Sequence, residues 1–241
     1  ITPHHPPRSR SMAEQGPAAL LLDFDGVIVE SVDIKTRAFR ELFAEYPEQV
    51  ERIVALHEAN AGVSRYEKFR VIFRDILREP CDEARMRLLG LRFSELVMEA
   101  VVRCPFVRGA EAFLKEFGAR YALFIVSGTP QNELREVISR RGLATHFHDI
   151  HGSPRTKAEI ARGILKTHGW EPTDAVAVGD SMTDYRAAQV VGIPFIGRWA
   201  ARQPNPFAGC DEIRTVEDLA ELAQRWDEWS PPGKPGAPST T

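Results

Sequence analysis

Four short stretches place carboxylates, hydroxyls and a lysine where apolar runs give way to turns. The first, Leu22-Asp23-Phe24-Asp25-Gly26, carries two aspartates separated by one residue. Alternation along an extended chain sends both carboxylates to the same side. Two such charges repel unless a cation sits between them or one holds a proton, and both devices suit attack on a phosphate. Gly26 permits a sharp exit, so that the backbone can pass close to a ligand. The second stretch is Val126-Ser127-Gly128-Thr129-Pro130. Thr129 reads as a helix N-cap and Pro130 as the first helical residue. Capping accounts for both and leaves Ser127 free to face a ligand. The third is Lys157, which opens a helix after Ser153-Pro154-Arg155-Thr156. A cation in a first turn opposes the helix dipole, so a nearby anion would explain it. The fourth is Gly179-Asp180-Ser181-Met182-Thr183-Asp184. Ser181 and Asp184 have the spacing of a capping box, an ordinary reason for Asp184 that does not extend to Asp180.

The apolar pattern supplies the elements that must hold these stretches. Strands are predicted at Leu20 to Phe24, Ala122 to Val126, His148 to His151, Ala175 to Val178 and Ile193 to Ile196, with a short edge strand at Glu212 to Arg214. Helices are predicted near 109–118, 130–141, 155–167, 181–191 and 216–228. Strands with no polar face of their own, alternating with helices, imply a parallel sheet covered on both sides. The expected fold class is therefore α/β, a doubly wound parallel sheet whose ligands bind beyond the carboxyl ends of the strands. Residues 32–105 break the rhythm and read as helices only, roughly 32–45, 47–59, 65–78 and 83–103. In the third of these, Tyr66, Phe69, Ile72, Phe73, Ile76 and Leu77 share one face. The expected organisation is a core of 17–31 and 106–229 with an all-helical subdomain, 32–105, inserted into it. The segment 1–16 and the Pro/Gly/Ser/Thr-rich tail 230–241 read as disordered.

Composition narrows the function classes. The formal charge of -3 gives no basic footprint of a nucleic-acid binder. No apolar run approaches the roughly 20 residues that span a bilayer, and no membrane partner is expected. Ile1 to Gly16 has no apolar segment of the kind a signal peptide needs. Met12 reads as the natural start, with Ile1 to Ser11 as added or readthrough residues. Cys81, Cys104 and Cys210 are far apart and odd in number, which fits free thiols in a reducing compartment; the expected location is the cytoplasm. Lysine is scarce, limited to Lys35, Lys68, Lys115, Lys157, Lys166 and Lys234, which adds to the interest of Lys157.

In order and placement, DFDGV at 23–27, SGT at 127–129, Lys157 and GDSMTD at 179–184 resemble the four motifs of the haloacid dehalogenase-like hydrolases. The likeness covers nearly all of 18–225, including a helical cap after the first motif. It points to the members similar to phosphoglycolate phosphatase and β-phosphoglucomutase, with a Rossmann-like core. The resemblance implies that Asp23 is a nucleophile forming an aspartyl-phosphate. It implies that Asp25 is the acid and base, with a pKa raised by the closed cap and by Asp23. It further implies Mg²⁺ held by Asp23, the backbone carbonyl of Asp25 and Asp180. Asp184 would orient Lys157 or a metal-bound water. Ser127, Gly128, Thr129 and Lys157 would take the phosphate. The implied substrate is a small phosphorylated metabolite.

An acid at position 25 argues for phosphoryl transfer over dehalogenation. A sugar phosphomutase is the alternative, because Gly62-Val63-Ser64-Arg65 resembles the corresponding loop of β-phosphoglucomutase. Against it, Ser64 and Glu67 fit an ordinary capping box, Lys35 replaces a histidine of the mutase, and Thr129-Pro130-Gln131-Asn132 departs from its pattern. A non-catalytic signalling or binding module fits less well, since every catalytic position is filled. Arg65 and Lys68 lie in a first turn, where cations ask for an anion. Arg65 is expected either to reach a distal acidic group of the substrate or to be a surface charge, with Lys35 a weaker candidate. His146, His148 and His151 lack a completing ligand for zinc, and alternation would put the first two on one face. Trp226 and Trp229 read as a last helix docking on the core.

Overall fold

The computed structural model describes residues 16–201 and 203–229; the expectations for 1–15 and 230–241 lie outside them. Six strands form one sheet: β1 (Ala19–Leu22), β2 (Ala122–Pro130), β3 (Asp149–Ser153), β4 (Ala175–Gly179), β5 (Phe195–Arg198) and β6 (Arg214–Val216). The order is β3-β2-β1-β4-β5-β6 and every pairing is parallel. Chain connections run outward from β1 to β3 on one side and from β4 to β6 on the other. The reversal falls between β1 and β4, so their carboxyl ends open on the crevice where such sheets bind ligands.

Burial explains the run of apolar residues. All four residues of β1 are buried, because helices cover both faces. On the one side lie α5 (Ala110–Gly118) and α6 (Gln131–Arg140), and on the other α7 (Lys157–His168) and α8 (Met182–Val191). The predicted last helix is two pieces, α9 (Leu219–Gln224) and α10 (Trp226–Trp229), interrupted at Arg225, and the Asp218 side chain, accepting from Glu221 N, fixes the start of the first at 219. Trp226 is buried, and its ring N–H donates to Tyr121 Oη at 2.8 Å. His146 lies in a 3-10 turn, Ala144–His146, ahead of β3, so strand alternation does not govern it.

Between β1 and α5 stand four further α-helices: α1 (Val32–Leu42), α2 (Val50–Ala59), α3 (Arg65–Val71) and α4 (Glu83–Arg103). The predicted helix at 65–78 changes to a π-helix over Ile72–Leu77 and stops at Arg78, which is left-handed at φ 56°. Its expected face nevertheless forms, with Phe69, Ile72 and Phe73 buried. Phe39, Phe43, Phe69, Phe73 and Phe93 make a ring cluster at its centre. That cluster is continuous with Leu20, Leu22 and Phe24 at the sheet, so the helical block rests on the core through shared apolar surface.

Candidate active site

The β1 ladder ends at Leu22, two residues short of the expected strand. Asp23 N still donates to Val178 O at 2.9 Å, but Phe24 O then accepts from Val27, Ile28 and Val29 in a tight coil. Gly26 turns the coil at φ 74°, and a Cβ there would lie 1.9 Å from Asp180 Oδ2. Glycine is thus needed for the turn and for the aspartate beside it.

The two aspartates consequently part company. Asp23 is 4% exposed and accepts from Lys157 Nζ at 2.6 Å. The same ammonium donates to Asp184 Oδ1 at 2.5 Å. Asp25 faces the helical block: Ser31 Oγ donates to it at 2.5 Å, Thr129 Oγ1 at 3.0 Å, and Lys35 Nζ binds it directly. Lys35 Nζ also donates to Thr129 Oγ1 at 2.8 Å. Their repulsion is therefore relieved by one lysine each, a device beyond the shared cation or shared proton expected from the sequence.

Three sequence expectations are corrected here. Asp25 was expected to have a raised pKa. Burial does push it up, but Lys35, Ser31 and Thr129 outweigh burial and hold it below the usual carboxylate range. Thr129 does not cap α6, since β2 runs on to Pro130 opposite Ser153 and turns the Thr129 hydroxyl toward Asp25. Ser64 precedes α3 with no side-chain cap bond, so the Ser64/Glu67 capping box does not form. The box that does form is Ser181 with Asp184, and Asp184 serves both it and Lys157.

Ser127 is buried, and its Oγ accepts from Thr129 N at 3.1 Å, leaving its own proton uncommitted among the described residues. It lines a pocket with Asp23, Asp25, Asp180, Gly128 and Thr129. The roof is the loop from Ala61 to Val63. Thr183 Oγ1 donates to Ala61 O at 2.6 Å, and Gly62 sits at φ 78°. A Cβ on Gly128 would come within 2.3 Å of Gly62 O, so the roof and the loop after β2 meet backbone to backbone. Arg65 is neither a surface charge nor free: it is 5% exposed, paired through both terminal nitrogens with Glu133 of α6 and stacked on Phe93.

Ligand oxygens of Asp23, Asp180 and Asp184 lie within 4.8 Å of one another. Asp180 has no hydrogen bond or ion pair among the described residues, and the Gly26 cradle leaves it room. Burial, then Asp184 and Asp25, push the Asp23 carboxyl up to about 7 against the pull of Lys157. Burial and the neighbouring carboxylates raise Asp180 well above its ordinary value. Lys157, despite burial, is held protonated by Asp184 and Asp23. The floor thus sets Asp23, Asp25, Asp180 and Asp184 against the ammonium groups of Lys35 and Lys157. One divalent cation would match that excess, and an all-oxygen donor set suits a hard one. The Asp25 carboxylate, turned to Lys35, is not part of the cluster, so only its backbone carbonyl could contribute as expected.

Sequence reasoning missed the pairing of Lys35 with Asp25 and of Lys68 with His57; the scarcity of lysine was the available signal. Lys68 Nζ meets His57 Nδ1 and His57 O, each at 3.1 Å.

A family model described as haloacid dehalogenase-like hydrolase matches residues 17–192. A phosphoglycolate phosphatase of Rhodospirillum rubrum is 25% identical over 226 residues, covering 90% of this chain and 93% of the relative. Among solved structures, a predicted phosphatase from Clostridium acetobutylicum aligns with a TM-score of 0.69 at 19% identity, over 89% of this chain and 100% of its own. A β-phosphoglucomutase from Clostridium difficile aligns with a TM-score of 0.67 at 15% identity, over 88% and 98%. The two structures share the fold with this chain.

Proposed function

The chain belongs to the haloacid dehalogenase-like hydrolases, and from that premise we propose that it is a Mg²⁺-dependent phosphatase of a small phosphorylated metabolite, of phosphoglycolate or sugar-phosphate type. The observation that carries the reading is Lys157 bridging Asp23 and Asp184 at the mouth of β1 and β4. Asp23 is the nucleophile. Its carboxylate oxygen bonds to phosphorus as the ester P–O bond breaks, giving an aspartyl-phosphate. Lys157, Ser127 and the amides of Gly128 and Thr129 bind and neutralise the phosphate oxygens. Asp25 gives a proton to the leaving oxygen, then takes one from the water that attacks phosphorus and frees Asp23. The ionised state imposed by Lys35 suits the second step, and the charge of an entering phosphate favours the protonated state that the first step needs. Asp23, Asp180 and Asp184 would hold Mg²⁺, which when bound offsets repulsion between carboxylate and phosphate. The helices over Val32–Arg103 act as the cap that excludes water, with Ala61 to Val63 as its closing edge.

Such an enzyme acts on a small molecule and needs neither nucleic acid nor membrane. Cys81, Cys104 and Cys210 are unpaired, in keeping with the cytoplasm, and no helix among the described residues is long and apolar enough to cross a membrane. The test is phosphate release from p-nitrophenyl phosphate and a metabolite panel, with MgCl₂ or EDTA. Release that requires Mg²⁺ is expected. A folded protein that frees no phosphate from any ester would refute the reading, and isomerised sugar phosphate without free phosphate would favour the mutase.

A further inference from the structure

The helical block contributes three cations to the pocket wall, Lys35, Arg65 and Lys68. Lys35 is spent on Asp25 and Arg65 on Glu133. Lys157, on the sheet side, is spent on Asp23 and Asp184. Lys68 differs from all of these. It is 4% exposed and has no carboxylate partner among the described residues. Its neighbours are His57 Nδ1 and O, and the face of Phe39 at 5.6 Å. The nearby charges are mostly of its own sign. Lys35, Arg65 and Lys157 disfavour its proton, and Asp25 favours it more weakly.

An ammonium has three N–H donors, and the protein fills two. Burial of a cation without a counter-charge is costly and favours loss of its proton, so an anion that enters beside it restores the charge and is bound by it. His57 is buried and its pKa is driven down by burial and by Lys68. It is therefore neutral, presents the Nδ1 lone pair to the ammonium and fixes where Lys68 points. Apolar Phe39, Val63 and Phe93 complete the surrounding wall.

We infer that Lys68, oriented by His57, binds a second acidic group of the substrate, a carboxylate or a second phosphate, at the end of the pocket remote from the transferred phosphoryl group. The inference rests on the phosphatase reading and narrows it: substrates are phosphate esters that carry another anion. Lys68 is then the specificity-determining residue and His57 a positioning residue.

The experiment compares matched esters in the full chain with MgCl₂. Phosphoglycolate is set against 2-hydroxyethyl phosphate, which replaces the carboxylate by a neutral hydroxymethyl group. Ribulose 1,5-bisphosphate is set against ribulose 5-phosphate. Wild type is expected to favour the acidic member of one pair by about 10- to 100-fold in kcat/KM, the scale of one charge-assisted hydrogen bond in a dry site. The preferred pair tells carboxylate from phosphate. Lys68→Met should erase that preference, with the loss falling on the KM of the acidic ester and far less on its neutral partner. Lys68→Arg should restore part of it, and Lys68→Gln carries the test if Met disturbs packing. Equal use of both members of each pair by wild type overturns the inference, as does an equal loss on both in Lys68→Met; either leaves the phosphatase reading standing. No hydrolysis of any ester, p-nitrophenyl phosphate included, overturns both.

Discussion

Replacing Lys68 by methionine should stabilise the protein. Methionine keeps the length of the stem and removes the charge. In the folded chain the Lys68 pKa falls from 10.5 to about 7, through burial first and then Lys35, Arg65 and Lys157, with Asp25 opposing. The folded protein therefore binds fewer protons than the unfolded chain between pH 7 and 10.5, so this lysine makes stability rise with pH across that window. Below pH 7 its cost is complete. At about 1.4 kcal/mol per pKa unit the cost has an upper bound near 5 kcal/mol. Methionine leaves His57 Nδ1 and O without their donor, which returns roughly 1–3 kcal/mol. The expected net gain at pH 7 is about 2 kcal/mol, or a rise in Tm of some 4–8 °C for a domain of this size. The gain should shrink to near zero by about pH 9, because wild-type Lys68 then folds uncharged at less cost. Urea melts of both proteins at pH 6, 7, 8 and 9 measure this directly. A variant that is less stable at pH 7, or whose advantage grows with pH, would refute the assignment of Lys68 as a buried cation without a counter-charge.

Other perturbations probe the floor and the clasp. Asp23→Asn should abolish turnover, by about 10³-fold or more, with an unchanged circular dichroism spectrum; near-normal phosphate release would remove the nucleophile. Lys35→Met should let the Asp25 pKa rise, since Lys35 is the main force lowering it. The acid limb of the kcat–pH profile should then move to higher pH, and an unmoved limb would show that Asp25 does not carry the titration. Asp180→Asn should raise the Mg²⁺ concentration for half-maximal activity by about tenfold or more, read from a metal titration after EDTA treatment; an unchanged requirement would take Asp180 out of the metal site. Arg65→Ala strands Glu133 in a buried position, and a loss of about 3 kcal/mol is expected in a urea melt; a loss below about 1 kcal/mol would show that the pair carries little load.

Much of the fold and of the floor was legible because each rested on a local rule. Parallel strands buried on both faces must be apolar throughout, and β1 and β4 are. The Ser181/Asp184 box formed as its spacing required. Asp180 stands out because no local role explains it, and in the structure it makes no side-chain hydrogen bond or ion pair among the described residues. Contacts between residues distant in sequence are not legible in this way. Thr129 has the residue type and position of a helix cap, yet its hydroxyl is claimed by Asp25, 104 residues away. The Asp25 pKa is not legible from its neighbours in sequence, because its counter-ion, Lys35, belongs to a helix that folds back over β1. Arg65 could not be placed because Glu133 lies on the far side of the inserted block, and no periodicity joins them. The end of β1 was overrun because Leu22-Asp23-Phe24 has strand-like alternation, while the coil around Phe24 O is set by Gly26 and by contact with Asp180.

The two ends of the pocket are unequal, and that inequality bears on the reaction. A sugar phosphomutase must accept one bisphosphate in two orientations, so both ends have to hold a phosphate dianion with comparable strength. Here the sheet end offers Lys157, Ser127, the Gly128–Thr129 backbone and the acidic cluster. The helical block offers the single ammonium of Lys68, because Lys35 is bound to Asp25 and Arg65 at both terminal nitrogens to Glu133. One ammonium in an apolar wall matches a carboxylate better than a dianion. The geometry therefore favours a phosphoryl group that enters in one orientation and leaves to water. If Glu133→Gln, which loosens Arg65, raised the yield of isomerised sugar phosphate from β-glucose 1-phosphate and its bisphosphate, the clasp would be identified as what holds the site to hydrolysis; an unchanged product ratio would show that the asymmetry has another source.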